Sequence, residues 1–336
     1  MDRLVLLNDA LKKKLINKRA TEIKFGEHVQ ILPCVSPIYE QLLNLDVKYV
    51  IFGIPEDIGV FANYGKNGAS KAWEVTLKAL LNIQSNTFTK AREVLILGHL
   101  DFGDLGEELQ KLDQSKKKHV KRARQMVEII DSYVSHLVYQ IVSAGKTPIV
   151  IGGGHNNAYG NIKGTSLALN KSINVLNLDA HSDFRIEEGR HSGNGFTYAY
   201  GDGFLRRYFI FGLHENYTSN KILERLGKLK CVKWNTYDSI KVRKDSKFNV
   251  QLQKAEEFIT DSFFGLEIDC DAILNTPSSA QSPTGFSVER TREFIHYFAK
   301  HQHVTYLHIC EAAPSKKTAD QVGKLLANFI LDFIKA

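Results

Sequence analysis

Three side chains that can bind a metal alternate with other residues just after a short apolar run. Positions 175–178 predict a buried strand, and Asp179, His181 and Asp183 follow it. In an extended chain, residues i, i+2 and i+4 share one face, so the three side chains point the same way. In open α/β sheets, ligands bind outside the carboxyl ends of the strands. The stretch therefore predicts a metal site, whereas the alternative is a polar loop with helix-capping aspartates.

Two other predicted strand ends carry matching side chains. Positions 148–151 run into a Gly-Gly-Gly-His motif that ends at His155, and positions 263–268 run into Asp-Cys-Asp at 269–271. Two histidines and four aspartates form a hard, oxygen-rich set that suits Mn²⁺. One cation cannot use six groups, but two cations about 3.5 Å apart can, and the four carboxylates balance their charge. We predict two Mn²⁺ per chain, with the ligands His155, Asp179, His181, Asp183, Asp269 and Asp271.

Apolar runs and helical periodicities alternate along the chain, which favours one doubly wound, mostly parallel α/β sheet flanked by helices. The predicted strands are 47–53, 94–97, 148–151, 175–178, 208–211, 230–233, 263–268 and 303–309. The predicted helices are 72–81, 116–144, 221–226, 250–259, 288–299 and 318–334. Residues 1–46 form a lead-in that packs on the domain, helical over 4–15 and extended over 23–35. We expect residues 47–336 to form a single domain.

Composition narrows the function classes. The 336 residues are 43% hydrophobic, which is enough for a large core, and the net charge is +7. The densest basic run, 116–124, has no interleaved aromatic residues, so we expect a scattered lysine surface and no nucleic-acid partner. No apolar run reaches the length of a membrane span, so we expect no membrane partner. The absence of a visible signal peptide and of paired cysteine spacing predicts the cytoplasm.

The motifs occur in the order found in the ureohydrolase family of arginases, agmatinases and formimidoylglutamases. These are Gly-Gly-Gly-His, Asp-Ala-His-Ser-Asp, Asp-Cys-Asp and Glu311-Ala-Ala-Pro314, and the resemblance covers about Val50 to Pro314. The glycine-rich loop at 54–69, after the first predicted strand, also resembles the family's loop at the active-site rim. The resemblance implies an arginase-like fold with an eight-stranded sheet, and a homo-oligomer, often of threefold character.

The resemblance also implies residue roles. His155 and Asp183 would bind one metal and His181 and Asp271 the other, with Asp179 and Asp269 as bridges. The bridging hydroxide would attack the carbon of a small-molecule amidine or guanidine. Asp183 would also pass a proton to the departing amine, and Glu311 would pair with the cationic amidinium.

Within the family the chain looks most like formimidoylglutamase. Gly154 stands where arginases and agmatinases have Asp, and Phe196 stands where arginases have a proton-shuttling histidine. Arg185 stands where arginases have Asn, and an arginine there can bind the carboxylate of an acidic substrate but would repel agmatine. The alternative for Arg185 is a structural salt bridge to Glu187 or Glu188. The predicted reaction is hydrolysis of N-formimidoyl-L-glutamate to L-glutamate and formamide.

The turn after the second metal motif supplies further substrate-binding candidates. Ser192 and Asn194 belong to a Ser-Gly-Asn turn, although formimidoylglutamases have Thr where Asn194 stands. His191 precedes the turn and could shuttle protons. Two alternatives stay open: an arginase, agmatinase or other guanidino-acid hydrolase that releases urea, and a non-catalytic or deacetylase-like relative with the same fold.

Overall fold

A computed structural model describes residues 2–35 and 37–336 of the chain and contains one nine-stranded sheet. The strands are β1 (Leu4–Leu6), β2 (Tyr49–Gly53), β3 (Val94–Leu100), β4 (Thr147–Ile151), β5 (Ile173–Leu178), β6 (Leu205–Leu213), β7 (Val232–Thr236), β8 (Phe264–Asp269) and β9 (Val304–Cys310). The helices are α1 (Asp9–Leu15), α2 (Phe25–His28), α3 (Ile38–Asn44), α4 (Ile58–Ala62), α5 (Ala72–Leu81), α6 (Gly103–Leu109), α7 (Lys117–Ser143), α8 (Asn157–Ala168), α9 (Gly195–Gly201), α10 (Asn220–Gly227), α11 (Phe248–Ile259), α12 (Val288–Ala299) and α13 (Ala319–Ile334).

The strand order is β1-β3-β2-β4-β9-β8-β5-β6-β7, and β2 to β9 pair in parallel. These eight strands match the eight that the sequence predicted, so the predicted fold class is confirmed. The ninth strand comes from the lead-in: β1 pairs antiparallel with β3, Leu4 opposite Leu100. The helix predicted over 4–15 is therefore wrong in its first half, because the open edge of β3 offers backbone hydrogen bonds that periodicity does not reveal. The helix begins only after Asn8, whose side chain accepts from the Leu11 amide.

The extended conformation predicted over 23–35 is also wrong in part. Residues Phe25–His28 form the single-turn helix α2, which begins where the Glu27 carboxylate accepts from the Lys24 amide at 2.7 Å. Phe25 is fully buried in the core beside α5, so packing of this one ring outweighs the extended preference of its neighbours.

Helices cover both faces of the sheet, as the alternation along β2 demonstrates. Tyr49 and Ile51 join a core with α5, α11, α12 and α13, whereas Val50 and Phe52 join a second core with α4, α6 and α7. Successive strand residues point to opposite faces, so a strand buried on both sides reads as a continuous apolar run. Among the described residues, no helix is long and apolar enough to cross a membrane.

Helix α8 was not predicted, and its burial explains why. It packs along α7, and most of its residues are buried, including polar ones such as Asn161 and Thr165, so it lacks the polar stripe that marks an amphipathic helix. Gly160 and Gly164 allow the two helices to approach closely. A Cβ atom on Gly164 would lie 2.5 Å from the carbonyl oxygen of Ser135 on α7.

We expect Gly164→Ala to lower the free energy of unfolding by about 1–3 kcal/mol, because the α7 backbone would have to move. Gly106→Ala on α6 is the matched control, since among the described residues no atom outside its own helix backbone and chain neighbours lies within 4 Å of the added Cβ. This control should raise stability by about 0.5–1 kcal/mol through helix propensity. Urea denaturation of both variants tests the prediction, and equal effects would contradict it.

Candidate metal centre

The four central strands bring the predicted site residues to one edge of the sheet. Strands β4, β9, β8 and β5 are consecutive neighbours and run parallel, so their carboxyl ends meet. His155 follows β4, Glu311 follows β9, Asp269 ends β8 and Asp179 follows β5. The crossover from β4 to β5 through α8 spans the two strands between them, which is the type of position where open α/β sheets bind ligands.

One group of candidate ligands surrounds the buried ring of His155. Its Nδ1 atom lies 2.9 Å from Asp183 Oδ2, 3.1 Å from Asp269 Oδ2 and 3.3 Å from Asp179 Oδ2. One donor atom from each of the four residues lies within 4.8 Å of the others, so a single cation could contact all four.

A second group shares Asp179 with the first. His181 Nδ1 lies 2.8 Å from Asp271 Oδ2 and 3.7 Å from Asp179 Oδ1, and the three residues form a separate set within 4.8 Å. The two oxygens of Asp179 therefore face different groups, as a bridging carboxylate requires. Asp269 belongs only to the first set by this measure, so its role as a second bridge stays a prediction.

Electrostatics and unpartnered atoms indicate that these residues fit divalent cations. Burial, followed by repulsion from Asp183, raises the pKa of Asp179 to about 6. Burial, followed by repulsion from Asp271, also raises the pKa of Asp269. His155 Nδ1 and Asp271 Oδ1 are buried atoms without a geometrically acceptable hydrogen bond to any described residue. Crowded carboxylates with unused lone pairs are the donor set that hard cations need.

Glu311 lies beside the first group in an unusual backbone conformation. Its φ angle is 61°, in the left-handed region that costs a non-glycine residue of order 1–3 kcal/mol. Its Oε1 atom accepts from the His155 amide at 2.8 Å, and its Oε2 atom accepts from the Ser279 hydroxyl. Burial raises the pKa of Glu311 to about 8. Sequence reasoning missed Ser279, because no local motif marks it.

A cavity of about 820 Å³ opens above these groups. Candidate ligands and Glu311 form its floor, loops 60–65 and 182–193 form one wall, and residues around α10 form another. Residues that line it and bear on function are Asn63, His181, Asp183, Arg185, Ser192, Tyr217, Asp269, Asp271, Ser279 and Glu311. The predicted position of the glycine-rich loop at the rim agrees with the presence of Val60 and Gly65 in this lining.

Arg185 and Ser192 both line the cavity and share one partner. Arg185 donates to Asn63 Oδ1 at 3.0 Å and to Glu188 Oε1 at 2.9 Å. The salt bridge that we considered as an alternative is therefore present, although 47% of the side chain remains exposed. Asn63 in turn donates to Ser192 Oγ at 3.1 Å.

Asn194 does not line the cavity, and its prediction as a substrate ligand needs correction. Its Oδ1 atom accepts from Arg190 at 2.7 Å and from the His191 amide at 3.0 Å, and its Nδ2 atom donates to the Gly189 carbonyl at 2.9 Å. The hydrogen-bonding groups of this buried side-chain amide are therefore used by residues of its own loop. We therefore assign Asn194 a structural role in the 185–195 loop.

Arg190 anchors the same loop and was missed by sequence reasoning. The buried guanidinium forms a two-contact salt bridge with Asp131 of α7, at 2.8 and 3.2 Å, and donates to the Asn156 carbonyl at 2.9 Å. It also lies 4.9 Å from the ring centroid of Tyr159. No sequence signal distinguishes this buried arginine from the exposed arginines of the chain.

Tyr217 is a further missed residue of the cavity wall. Its ring stacks on His181 at 5.7 Å between centroids and on His214 at 5.3 Å, and its hydroxyl lies 3.2 Å from Ser282 Oγ. The stack holds a candidate metal ligand against the loop that follows β8.

His191 is buried and poorly placed to shuttle protons. Its Nδ1 atom accepts from the Gly193 amide at 3.1 Å, and its Nε2 atom lies 3.3 Å from Glu188. Burial, followed by the charges of Arg185, Arg124 and Arg190, lowers the pKa of His191 to about 2. A pKa this low keeps the ring neutral near pH 7, which argues against the shuttle interpretation.

This low pKa predicts a specific acid sensitivity. The pKa of His191 is lower in the folded chain than its ordinary value of 6.5, so the unfolded chain binds more protons than the folded chain between pH 6.5 and 2. The free energy of unfolding is therefore highest above pH 6.5 and decreases as the pH falls toward 2. The loss amounts to up to ~1.4 kcal/mol per pH unit. His191→Asn, which can still accept from Gly193, should flatten the pH dependence of unfolding by about one proton. His136→Asn, at an exposed site on α7, is the control, and identical slopes for wild type and His191→Asn would refute the prediction.

Comparison with known proteins identifies the family. A model described as the Arginase family matches residues 47–335. Formimidoylglutamase of Streptococcus gordonii is 25% identical over 320 residues, covering 91% of this chain and 89% of that protein. The structure of formimidoylglutamase from Bacillus subtilis has a TM-score of 0.73 at 17% identity, covering 95% of this chain and 93% of that one. Trypanosoma cruzi formiminoglutamase with Mn2+2 has a TM-score of 0.68 at 18% identity, covering 88% and 96%. The chain belongs to the arginase family.

Proposed function

We propose that this chain is a manganese-dependent hydrolase that converts N-formimidoyl-L-glutamate and water to L-glutamate and formamide. The observation that carries the proposal is the convergence of the ligand groups and Glu311 at one strand edge, beneath a cavity with Arg185 in its wall. The named relatives support it, since they are formimidoylglutamases or a formiminoglutamase, and one was solved with Mn2+2.

The proposed metal ligands are His155, Asp179, His181, Asp183, Asp269 and Asp271. When bound, two Mn²⁺ would supply the Lewis-acid chemistry that makes a water acidic enough to attack near neutral pH. The water oxygen forms a bond to the amidine carbon, and the bond from that carbon to the glutamate nitrogen breaks. Asp183 borders the cavity and would deliver the proton that the departing nitrogen needs.

Glu311 would orient the reacting group. A carboxylate has about four lone-pair sites, and the His155 amide and the Ser279 hydroxyl use one on each oxygen of Glu311. Each oxygen therefore keeps one site for a planar amidinium, which has two N–H groups at matching separation. Glu311 lines the cavity, and its backbone has the left-handed φ angle described above.

The charge of the cavity wall favours an acidic substrate. Arg185, Lys221, Arg225 and Lys228 line the cavity, opposed by Glu188 and Glu224. Arg185 has five N–H donors, of which its two contacts use two, so the guanidinium can bind a substrate carboxylate as well. A second cationic amine, as in agmatine, would meet repulsion at the same place.

Phe196 and Gly154 separate this site from the arginase pattern. Phe196 is fully buried and stacks on Tyr208 with centroids 4.4 Å apart, so no titratable group occupies the position of the arginase shuttle. A Cβ on Gly154 would lie 2.6 Å from Asn156 Oδ1 and 3.2 Å from Glu311 Oε1. An aspartate at position 154 would therefore crowd Glu311 in this site. The arginase motif does not fit this packing, whereas a glycine does.

The proposal extends to compartment and assembly. The buried thiols Cys270 and Cys310 suit a reducing compartment, and we propose the cytoplasm. We also propose a homo-oligomer, by analogy with the family, and a single catalytic domain over 47–336 on which the lead-in packs.

The metal proposal predicts two Mn²⁺ per chain. Asp179→Ala should abolish activity and lower the stoichiometry, because Asp179 is shared by both ligand groups. The measurement is metal content by plasma mass spectrometry together with turnover. Full activity with one tightly bound ion would exclude the binuclear mechanism.

The substrate proposal predicts formamide rather than urea as the main product when formimidoylglutamate, arginine and agmatine are compared. Arg185→Ala should weaken use of formimidoylglutamate by about 1.5–3 kcal/mol, the contribution of a hydrogen bond to a charged group. The loss should appear mainly in KM if the carboxylate contact is equal in ground and transition states.

Arg243→Ala is the matched control for this assay. Arg243 has the same 47% side-chain exposure as Arg185 and also pairs with a glutamate, Glu215, but lies outside the cavity. The control should leave kcat/KM unchanged. Dominant urea release from arginine or agmatine by the wild type would overturn the substrate and leave the fold and the metal proposal intact.

A further inference from the structure

A tier of buried polar side chains lies one pleat below the candidate metal ligands. Asn177, Glu267 and His308 are direct neighbours across β5, β8 and β9, and all three are fully buried. Asn177 precedes Asp179 by two residues and Glu267 precedes Asp269 by two, so each shares a strand face with a candidate ligand. Polar residues at the centre of an apolar sheet need a specific reason.

Glu267 is the centre of this tier. Its Oε2 atom lies 2.5 Å from His308 Nδ1 and 3.5 Å from His155 Nε2, and its Oε1 atom accepts from the Tyr306 hydroxyl at 2.8 Å. Both carboxylate oxygens therefore have partners, and one of them faces the ring of a candidate metal ligand. An isolated buried carboxylate would be costly, whereas this one is hydrogen-bonded by two side chains and lies 3.5 Å from a third, His155, whose Nε2 has no hydrogen bond to a described residue.

The backbone is shaped to allow this arrangement. Gly265 pairs directly with Tyr306, and a Cβ there would lie 2.1 Å from Tyr306 Cζ and 2.4 Å from its hydroxyl oxygen. A glycine at 265 thus lets the tyrosine ring cross β8 and place its hydroxyl on Glu267. On the neighbouring strand β5, a buried polar residue likewise contacts a candidate ligand: Asn177 donates to Asp179 Oδ2 at 2.9 Å.

We propose that Glu267, held by His308 and Tyr306, is a positioning residue that sets the tautomer and orientation of His155 for metal binding. His155 Nδ1 faces the three carboxylates, so this nitrogen must keep its lone pair free to bind a cation. A neutral imidazole then carries its proton on Nε2. Glu267 Oε2 is the acceptor that faces Nε2, and such outer partners raise the basicity of a ligating histidine.

This inference depends on the proposed function only through the metal centre and not on the substrate. The Glu267→Gln variant tests it, because the amide keeps the size of the side chain but replaces one oxygen with a donor. The neutral amide no longer supports the basicity of His155, and with its N–H group toward Nε2 it would favour the tautomer with the proton on Nδ1, which blocks metal binding. We expect one of the two Mn²⁺ sites to weaken 10- to 100-fold while the other is retained.

Glu256→Gln is a matched control. Glu256 also accepts from a tyrosine hydroxyl, that of Tyr297, and also lies beside a histidine, with His301 Nε2 at 3.1 Å. These residues belong to α11, α12 and the turn after α12, away from the metal centre. Calorimetric Mn²⁺ titration and the electron paramagnetic resonance signal of coupled Mn²⁺ should match the wild type in this variant.

Two further variants keep the inference testable if Glu267→Gln does not fold. Tyr306→Phe removes one hydroxyl and should weaken the same Mn²⁺ site by a smaller factor. His308→Asn keeps a donor near the position of Nδ1 and should restore more metal affinity than His308→Leu. Urea denaturation in a chelator reports the stability of each metal-free variant.

The outcomes separate the two ideas. Wild-type affinity at both Mn²⁺ sites in folded Glu267→Gln or Tyr306→Phe would overturn the positioning role. Equal weakening of both sites in step with lost stability would also overturn it, because that pattern marks a purely structural residue. A wild type that binds fewer than two Mn²⁺ would instead contradict the proposed function.

Discussion

Crowding of carboxylates at one edge of the sheet is the constraint that the metal centre and the residues around it must satisfy. Four aspartates approach one another in two groups that share Asp179, and burial raises the pKa of both Asp179 and Asp269. The imidazoles of His155 and His181 can carry at most two positive charges against the four negative ones. Two divalent cations carry four, so a binuclear centre balances the charge that the imidazoles cannot.

Such a site needs rigid support, and the sheet supplies it from below. In the central strands Glu267 is hydrogen-bonded to His308 and Tyr306, and Asn177 beside it donates to Asp179. From the side, the buried carboxylate of Glu56 accepts from the Ile58 and Gly154 amides and from the Asn157 side chain, at 2.6, 2.9 and 2.8 Å. The loop after β2 is thereby tied to the loop that carries His155. The candidate ligands thus lie at or just after the ends of buried strands, and buried hydrogen bonds tie the loop that carries His155 to its neighbour.

The cavity wall is built differently. Arg185 and Ser192 lie on a loop that is anchored by the buried pair of Arg190 and Asp131 and by the amide of Asn194. These contacts fix the backbone of the 185–195 loop without using Arg185 or Ser192. The side chains that face the cavity can therefore differ between proteins while the loop keeps its shape. The division explains how one arginase-family sheet can keep its metal chemistry while substrate preference changes through loops.

The eight parallel strands and the six candidate ligands were predictable from the sequence, because apolar runs and i, i+2 spacing are local signals and parallel strands bring their carboxyl ends to a common edge. Tertiary structure alone decided contacts between residues distant in the chain. Strand β1 forms because the open edge of β3 offers unpaired backbone groups. Helix α8 was not predicted because its polar residues are buried along with its apolar ones, so the sequence shows no amphipathic pattern. The roles of Ser279, Tyr217, Arg190 and the Glu267–His308 pair come from contacts with residues 32 to 65 positions away in the chain. Asn194 looked like a ligand in its motif, yet its loop folds around its amide.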